Sequence, residues 1–119
     1  MSDQKLGAVE MQFAEIIWAN EPLSSGRLVQ LCAEKLGWKK STTYTVLKKL
    51  CLRGMFRNEN GCVSAVISRA EYDAMQSTQF VEEQFSGSLP AFLAAFTKKK
   101  ALSPQEIDEI RTLIDKIEG

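Results

Sequence analysis

The side chains best suited to chemistry in this sequence are cations and hydroxyls gathered in one segment. Between residues 35 and 58 there are seven Lys or Arg side chains and no Asp or Glu. Positions 41–45 all carry a hydroxyl group. Ammonium and guanidinium groups bind phosphate oxygens, and hydroxyl groups can form hydrogen bonds with base edges. The pattern therefore predicts an anionic partner, and double-stranded DNA is the one it fits best.

Residue types that support catalysis or metal binding are scarce. The chain has no histidine, the commonest general base and metal ligand. Its three cysteines are too far apart for a C-x-x-C pair, and neighbouring carboxylates such as Glu82 and Glu83 point to different faces of a helix. We expect no enzyme activity, no cofactor and no metal. Cys32 and Cys51 are expected to be small buried hydrophobes, while Cys62 begins a strand.

Length and charge distribution predict one folded unit with an appendage. A chain of 119 residues that is 45% hydrophobic can bury one modest core. Residues 1–69 carry ten basic against six acidic side chains, a net charge of +4, and residues 70–119 carry five against nine, which gives −4. The amino terminus does not resemble a signal peptide, and no apolar run reaches the roughly 18 residues of a membrane span. We expect a cytoplasmic protein without a membrane partner.

The elements that must position the basic segment are three helices and a hairpin. Apolar positions spaced by three and four predict a first helix over residues 7–20, with Val9, Phe13, Ile16 and Ile17 on its buried face. Ser24 caps a second helix over residues 25–36, which ends at Gly37.

The third helix, residues 41–54, contains most of the hydroxyl and ammonium groups. It is expected to begin with Ser41 as its N-cap, to bury Thr43, Val46, Leu47 and Leu50, and to stop at Gly54. Residues 55–59 and 62–67 then flank Asn60-Gly61, a strong signal for a two-stranded hairpin.

The rest of the chain is predicted to be helical. Capping boxes at Ser68-Arg69-Ala70-Glu71 and Ser103-Pro104-Gln105-Glu106 open two helices, and a short apolar helix over residues 90–97 lies between them. The expected fold is mainly α with a small β-hairpin. Residues 1–69 form a winged helix-turn-helix domain that binds DNA, and residues 70–119 form a helical dimerisation region.

The predicted site residues fall into three groups. Hydroxyl groups expected to contact bases belong to Ser41, Thr42, Tyr44 and Thr45. Cations expected to contact phosphates belong to Lys39, Lys40, Lys48, Lys49, Arg53 and Arg57. Apolar side chains expected at the dimer contact are Phe92, Phe96, Ile107, Ile110, Ile114 and Ile117.

Two alternatives remain open at this point. The winged helix could serve only as a protein-interaction module, with its basic face on an acidic protein surface. The dimer region could instead hold an apolar ligand pocket lined by Phe80, Phe85 and Phe92, although plain core packing of these rings is the stronger expectation. Trp18 and Trp38 are expected to be structural.

The sequence resembles the penicillinase-repressor family of winged-helix transcriptional regulators, the BlaI/MecI group with its copper-responsive CopY relatives, over nearly the entire chain. Four motifs carry the resemblance: Glu10 with Ile16-Ile17-Trp18, the run over residues 41–50, Arg53-Gly54-Met55-Phe56, and Leu102-Ser103-Pro104-Gln105-Glu106-Ile107.

This resemblance implies a homodimeric repressor that binds an inverted-repeat operator through the winged helix and dimerises through the C-terminal helices. It implies DNA contacts at Ser41, Thr42, Tyr44, Thr45 and Lys49, although the family has basic residues at the positions of Ser41 and Tyr44.

The resemblance also concerns induction. In the penicillinase repressors a signal from a membrane sensor-protease leads to cleavage of an Asn-Phe bond. This bond aligns with Ala95-Phe96, where the phenylalanine is kept and the asparagine is not. A regulatory protease is therefore a candidate partner. No cysteine follows Cys62, so the resemblance excludes copper sensing through the C-terminal cysteine cluster of the copper-type relatives.

Overall fold

The structure, a computed structural model, describes residues 5–118 as two compact units. One unit ends at Gln76 and the other begins at Ser77. The elements in chain order are α1 (Ala8–Asn20), β1 (Leu23–Ser24), α2 (Ser25–Leu36), α3 (Lys40–Leu52), β2 (Phe56–Glu59), β3 (Cys62–Ala65), α4 (Arg69–Phe85), α5 (Leu89–Lys99) and α6 (Pro104–Glu118).

The first three helices pack their apolar faces on one core. Phe13 and Ile17 of α1, Leu28 of α2 and Leu50 of α3 are fully buried in it. Trp38, in the turn between α2 and α3, stacks on Phe13 with ring centroids 5.5 Å apart. The predicted amphipathic helices are confirmed. The placement of Val9 on the buried face is wrong, because Val9 lies at the very start of α1 and is 56% exposed, while Leu6 just before the helix is buried.

Helix boundaries follow local hydrogen bonding. The Ser24 hydroxyl accepts a hydrogen bond from the Arg27 amide at 3.0 Å, and Gly37 ends α2 with a φ of +70°. The prediction of Ser41 as the cap of α3 is wrong. Lys39 occupies that position, because its carbonyl accepts from both the amide and the hydroxyl of Thr43, at 3.1 and 3.3 Å.

The hairpin is present and belongs to a three-stranded antiparallel sheet of order β1-β3-β2. Asn60 and Gly61 form its turn with φ angles of 54° and 82°, as the Asn-Gly pair predicts. The third strand, β1, was not anticipated. It pairs Leu23 with Val63, and both side chains are buried in the core.

The first turn of α4 belongs to the first unit. Its capping box forms as predicted, since the Ser68 amide donates to Glu71 at 2.9 Å and the Glu71 amide donates to Ser68 at 3.0 Å. Tyr72 is buried, and its hydroxyl accepts from the Leu6 amide at 2.9 Å. Because of this packing, the first unit extends beyond the predicted boundary at residue 69.

Both tryptophans lie within the packing of the first unit. Trp18 donates from Nε1 to the Ile67 carbonyl at 2.9 Å, and its ring contacts Phe56 and Tyr72. Together with the stacking of Trp38 on Phe13, this fits the structural role predicted for them.

The second unit contains the rest of α4, then α5 and α6. The side chains of Phe80, Phe85 and Phe92 contact one another with ring centroids 5.6 to 6.1 Å apart. The three rings pack on one another but do not form a closed core, because Phe80 is 51% exposed. The second capping box also forms, with Ser103 and Glu106 exchanging hydrogen bonds of 2.9 and 3.0 Å.

Several apolar side chains of this unit are open to solvent, among them Phe96, Ile107, Leu113, Ile114 and Ile117. Phe92 and Ile110 are half-buried. Within residues 5–118, no helix is long and apolar enough to cross a membrane.

Candidate nucleic-acid interface

The outward face of α3 is polar and basic. Burial of Thr43, Leu47 and Leu50 fixes the rotation of the helix against the core. The polar side chains that this rotation leaves exposed on α3 are those of Lys40, Ser41, Thr42, Thr45, Lys48 and Lys49, and the apolar Leu52 at the end of the helix is also 80% exposed. The helix therefore presents hydroxyls in its first half and ammonium groups about one turn later, in the arrangement expected from the sequence.

The N-terminus of α3 adds one more cationic side chain to this face, that of Lys39, which lies beside Lys40. Lys39 caps the helix through its backbone, and its side chain makes no capping hydrogen bond within the described structure. Lys39 and Lys40 are both exposed. The open amides of a first helical turn and the positive end of the helix dipole favour a phosphate group at such a position.

Tyr44 differs from the other predicted base-contacting residues because it is half-buried and already bonded. Its hydroxyl donates to the Ser25 hydroxyl at 3.0 Å. The Ser25 amide donates in turn to the carbonyl of Gly61 at 2.8 Å. Tyr44 thus connects α3 to the start of α2, and Ser25 connects α2 to the turn of the hairpin.

Lys49 and Arg53 are held by one carboxylate on α1. The Lys49 ammonium lies 2.7 Å from Glu10 Oε2, and the Arg53 guanidinium lies 3.5 Å from Glu10 Oε1. Arg53 also donates to the Lys5 carbonyl at 3.0 Å. The hydrogen bond from Lys49 and that from the Gly7 amide lower the pKa of Glu10, against the opposing effect of burial. Both cations therefore have a protein partner before any DNA arrives.

Arg57 lies on the wing, apart from the helix face. It is on β2, with its side chain half exposed and 3.9 Å from the Glu59 carboxylate. An exposed pair at this distance is weak, because water screens both charges. Arg57 remains available to a phosphate beside the hairpin.

The cysteines take no part in this surface chemistry. Cys32 is buried and Cys51 half-buried, and burial raises the pKa of both thiols, so they stay in the neutral form. Cys62 is exposed at the start of β3, as expected. Among residues 5–118, no group of three or more cysteines and acidic side chains is placed to hold a metal ion.

Two residues that shape this surface, Glu10 and Ser25, were not among the predicted site residues. Each of them contacts a residue far away in the sequence: Glu10 pairs with Lys49, and Ser25 accepts a hydrogen bond from Tyr44. For Ser25 the sequence offers no local signal. For Glu10 the available signal was an acidic residue in the first turn of an amphipathic helix. Periodicity alone places such a residue on the solvent side of the helix.

Comparison with known proteins agrees with this architecture. The methicillin resistance regulatory protein MecI of Staphylococcus aureus (strain Mu50 / ATCC 700699) is 21% identical over 116 residues, which cover 94% of each chain. MecI proteins of Mammaliicoccus sciuri and Staphylococcus epidermidis are 20% identical with the same coverage. The family described as penicillinase repressor matches residues 6–116. The chain therefore belongs to the penicillinase repressor family.

Proposed function

We propose that this transcriptional repressor acts as a homodimer and binds an inverted-repeat DNA operator through α3 and the wing. The observation that carries the proposal is the exposed face of α3, where hydroxyls and lysines lie together on a helix followed directly by a hairpin. In a winged helix this element enters the major groove, and two copies read half-sites about one helical turn apart.

The side chains of the α3 face and the wing divide into two roles. Ser41, Thr42 and Thr45 are short and exposed, so they are suited to base edges and thymine methyl groups. Lys39, Lys40, Lys48 and Arg57 supply phosphate contacts, which give affinity without sequence information. Tyr44 remains a candidate for base contact, but its bond to Ser25 also supports a role in holding the wing beside the helix.

Dimerisation through the second unit is supported by its uncovered apolar side chains. Ile114 is 46% exposed and Ile117 is 76% exposed. A groove of about 300 Å³ between α5 and α6, lined by Leu93, Ile107 and Ile110, continues this surface. Apolar surface of this extent is stabilised when a second copy covers it.

Relief of repression by proteolysis in the dimerisation region is part of the same proposal. Ala95 and Phe96 lie on α5, and both side chains are exposed. A cut between them would separate most of α5 from α6, so the groove that both helices line would be lost.

Selection from a random duplex library tests DNA recognition directly. We expect an enriched inverted repeat whose half-site centres are about 10 base pairs apart. Lys48→Ala should weaken binding to all duplexes and lower the salt slope by about one, whereas Thr45→Ala should weaken the selected site more than a scrambled one. Lys35→Ala is the matched control, because Lys35 lines a groove between α1 and α2 instead of the α3 face.

A different outcome would reject the proposal. If no sequence is enriched and binding of the wild-type protein to duplex DNA does not respond to salt, the basic face does not serve DNA, and the protein-interaction module becomes the better interpretation.

A further inference from the structure

The Glu10 carboxylate holds the ammonium group of Lys49 in an ion pair of 2.7 Å. We propose that Glu10 acts as an internal competitor for phosphate: it holds Lys49 on the protein and thereby limits the sequence-independent affinity for DNA. This inference rests on the proposed function. It assigns to α1 a residue that regulates how α3 binds.

The carboxylate is fixed by its own contacts. Glu10 Oε1 accepts from the Gly7 amide at 3.1 Å and lies 3.5 Å from Arg53, whose other nitrogen is bonded to the Lys5 carbonyl. The Glu10 side chain is only 20% exposed. It is therefore anchored at the start of α1 whether or not Lys49 is bound to it.

Lys49 is the more exposed member of the pair. Its side chain is 59% exposed, and it follows Lys48 on the outer face of α3. A lysine is a point charge on a flexible stem, so it can turn either to Glu10 or to a nearby phosphate. While it pairs with Glu10 at 2.7 Å, it cannot release a DNA counterion.

The chain contains a matched pair for comparison. Glu15 is also on α1 and pairs with Arg69 at 2.8 Å, but Arg69 is on α4 and away from the recognition helix. Replacing either glutamate by glutamine changes the net charge equally. Only the change at Glu10 releases a cation of α3.

The experiment measures binding of the full chain to a mixed-sequence 30-base-pair duplex by fluorescence anisotropy over a salt series. Glu10→Gln should bind several-fold more tightly at low salt, with a log K against log salt slope steeper by about 0.9. Glu15→Gln should match the wild type. Lys49→Gln alone should change the salt slope little from that of the wild type. Combined with Glu10→Gln, it should abolish the tighter binding and the steeper slope that Glu10→Gln produces.

Three outcomes would overturn the inference. Glu10→Gln and Glu15→Gln could steepen the slope equally, which would show a general charge effect. The slope of Glu10→Gln could equal that of the wild type. Lys49→Gln in the wild-type background could lower the slope as much as Lys48→Gln, which would show that Lys49 already contacts phosphate. Because the comparison of Lys49→Gln with Lys48→Gln keeps Glu10 in place, it tests whether Lys49 contacts phosphate even if Glu10→Gln does not fold. Failure of the wild-type chain to bind DNA would reject the proposed function itself.

Discussion

The Glu10 carboxylate shows how one side chain links the titration of a group to the stability of the fold. It accepts a hydrogen bond from the Gly7 amide and pairs with Lys49 and Arg53, and these contacts lower its pKa. A group whose pKa is lower in the folded chain than in the unfolded chain stabilises the fold when it is charged. The ionised form of Glu10 therefore joins α1 to α3.

This gives a pH dependence with a definite sign. The contribution of Glu10 is complete well above the unfolded pKa of about 4.3 and is lost as the pH falls through the lower folded value. Glu10→Gln should therefore be less stable than the wild type at pH 7, and the difference should shrink below about pH 4. Urea unfolding at pH 7 and pH 3 measures it. A difference that is constant over this range would show that Glu10 does not stabilise the fold through its charge.

At the scale of single residues, helical periodicity predicted the candidate site only in part. It correctly placed Ser41, Thr42, Thr45 and Lys48 on the outer face of α3. It also placed Tyr44 and Lys49 on the outer face, but it could not show that both have partners within the protein. Periodicity gives the direction of a side chain and not the group that it contacts. The partners, Ser25 and Glu10, come from other helices, and only the folded chain brings them close.

Among the elements, those with local signals were predicted well. Ser24, Gly37 and the two capping boxes mark helix ends through bonds that span a few residues, and Asn60-Gly61 sets the hairpin turn in the same way. The strand β1 has two residues and no periodicity of its own, since it exists only through its pairing with Val63 and Cys62. Such an element cannot be seen in the sequence before the sheet is known.

Two glycines allow a test of the wing at this scale. Gly61 has a φ of +82°, which an L side chain adopts at a cost, and a Cβ there would lie 3.8 Å from the Ser25 hydroxyl. Gly61→Ala should lower the free energy of unfolding by about 1–2 kcal/mol. Gly26→Ala is the control, because Gly26 lies in the first turn of α2 with room for a methyl group. It should raise stability by about 0.5 kcal/mol.

Thermal or urea unfolding of both variants provides the measurement. Equal destabilisation by the two alanines would mean that the left-handed conformation at Gly61 is not the source of the cost.

The whole molecule combines two units of different chemistry. The first unit carries the cations of α3 and the wing, and the second carries most of the acids of the C-terminal half together with exposed apolar side chains. Residues 77–119 carry seven acidic against five basic side chains, a net charge of −2, so this unit lacks the excess of cations that the first unit has. We propose the exposed isoleucines of α6 as the contact for a second copy.

Charges placed on the apolar face of α6 that carries Ile110 and Ile114 should separate the proposed dimer. Ile110→Asp together with Ile114→Asp should give a monomer in sedimentation equilibrium, because two carboxylates would be buried without partners at the contact. Operator affinity should fall as well, since the two half-sites would no longer be bound by one linked molecule.

Thr112→Asp is the control, because Thr112 lies among Asp108, Glu109 and Lys116 on another face of α6. A double variant that still sediments as a dimer with unchanged affinity would place the contact elsewhere.

The helical state of the Ala95-Phe96 bond has a kinetic consequence. Proteases bind their substrates as extended chain, and this bond lies in the interior of α5, so the proposed cleavage would have to wait for the helix to open. None of the eleven residues of α5 is fully buried, but opening of the helix would break the ring contacts of Phe92 with Phe80 and Phe85. If opening and closing are faster than cleavage, each additional 1.4 kcal/mol or so of helix stability slows the cut about tenfold. The rate of the proposed cleavage would then be the product of the open fraction of α5 and the rate at which a protease cuts the open chain, so a more stable α5 slows the response to any protease.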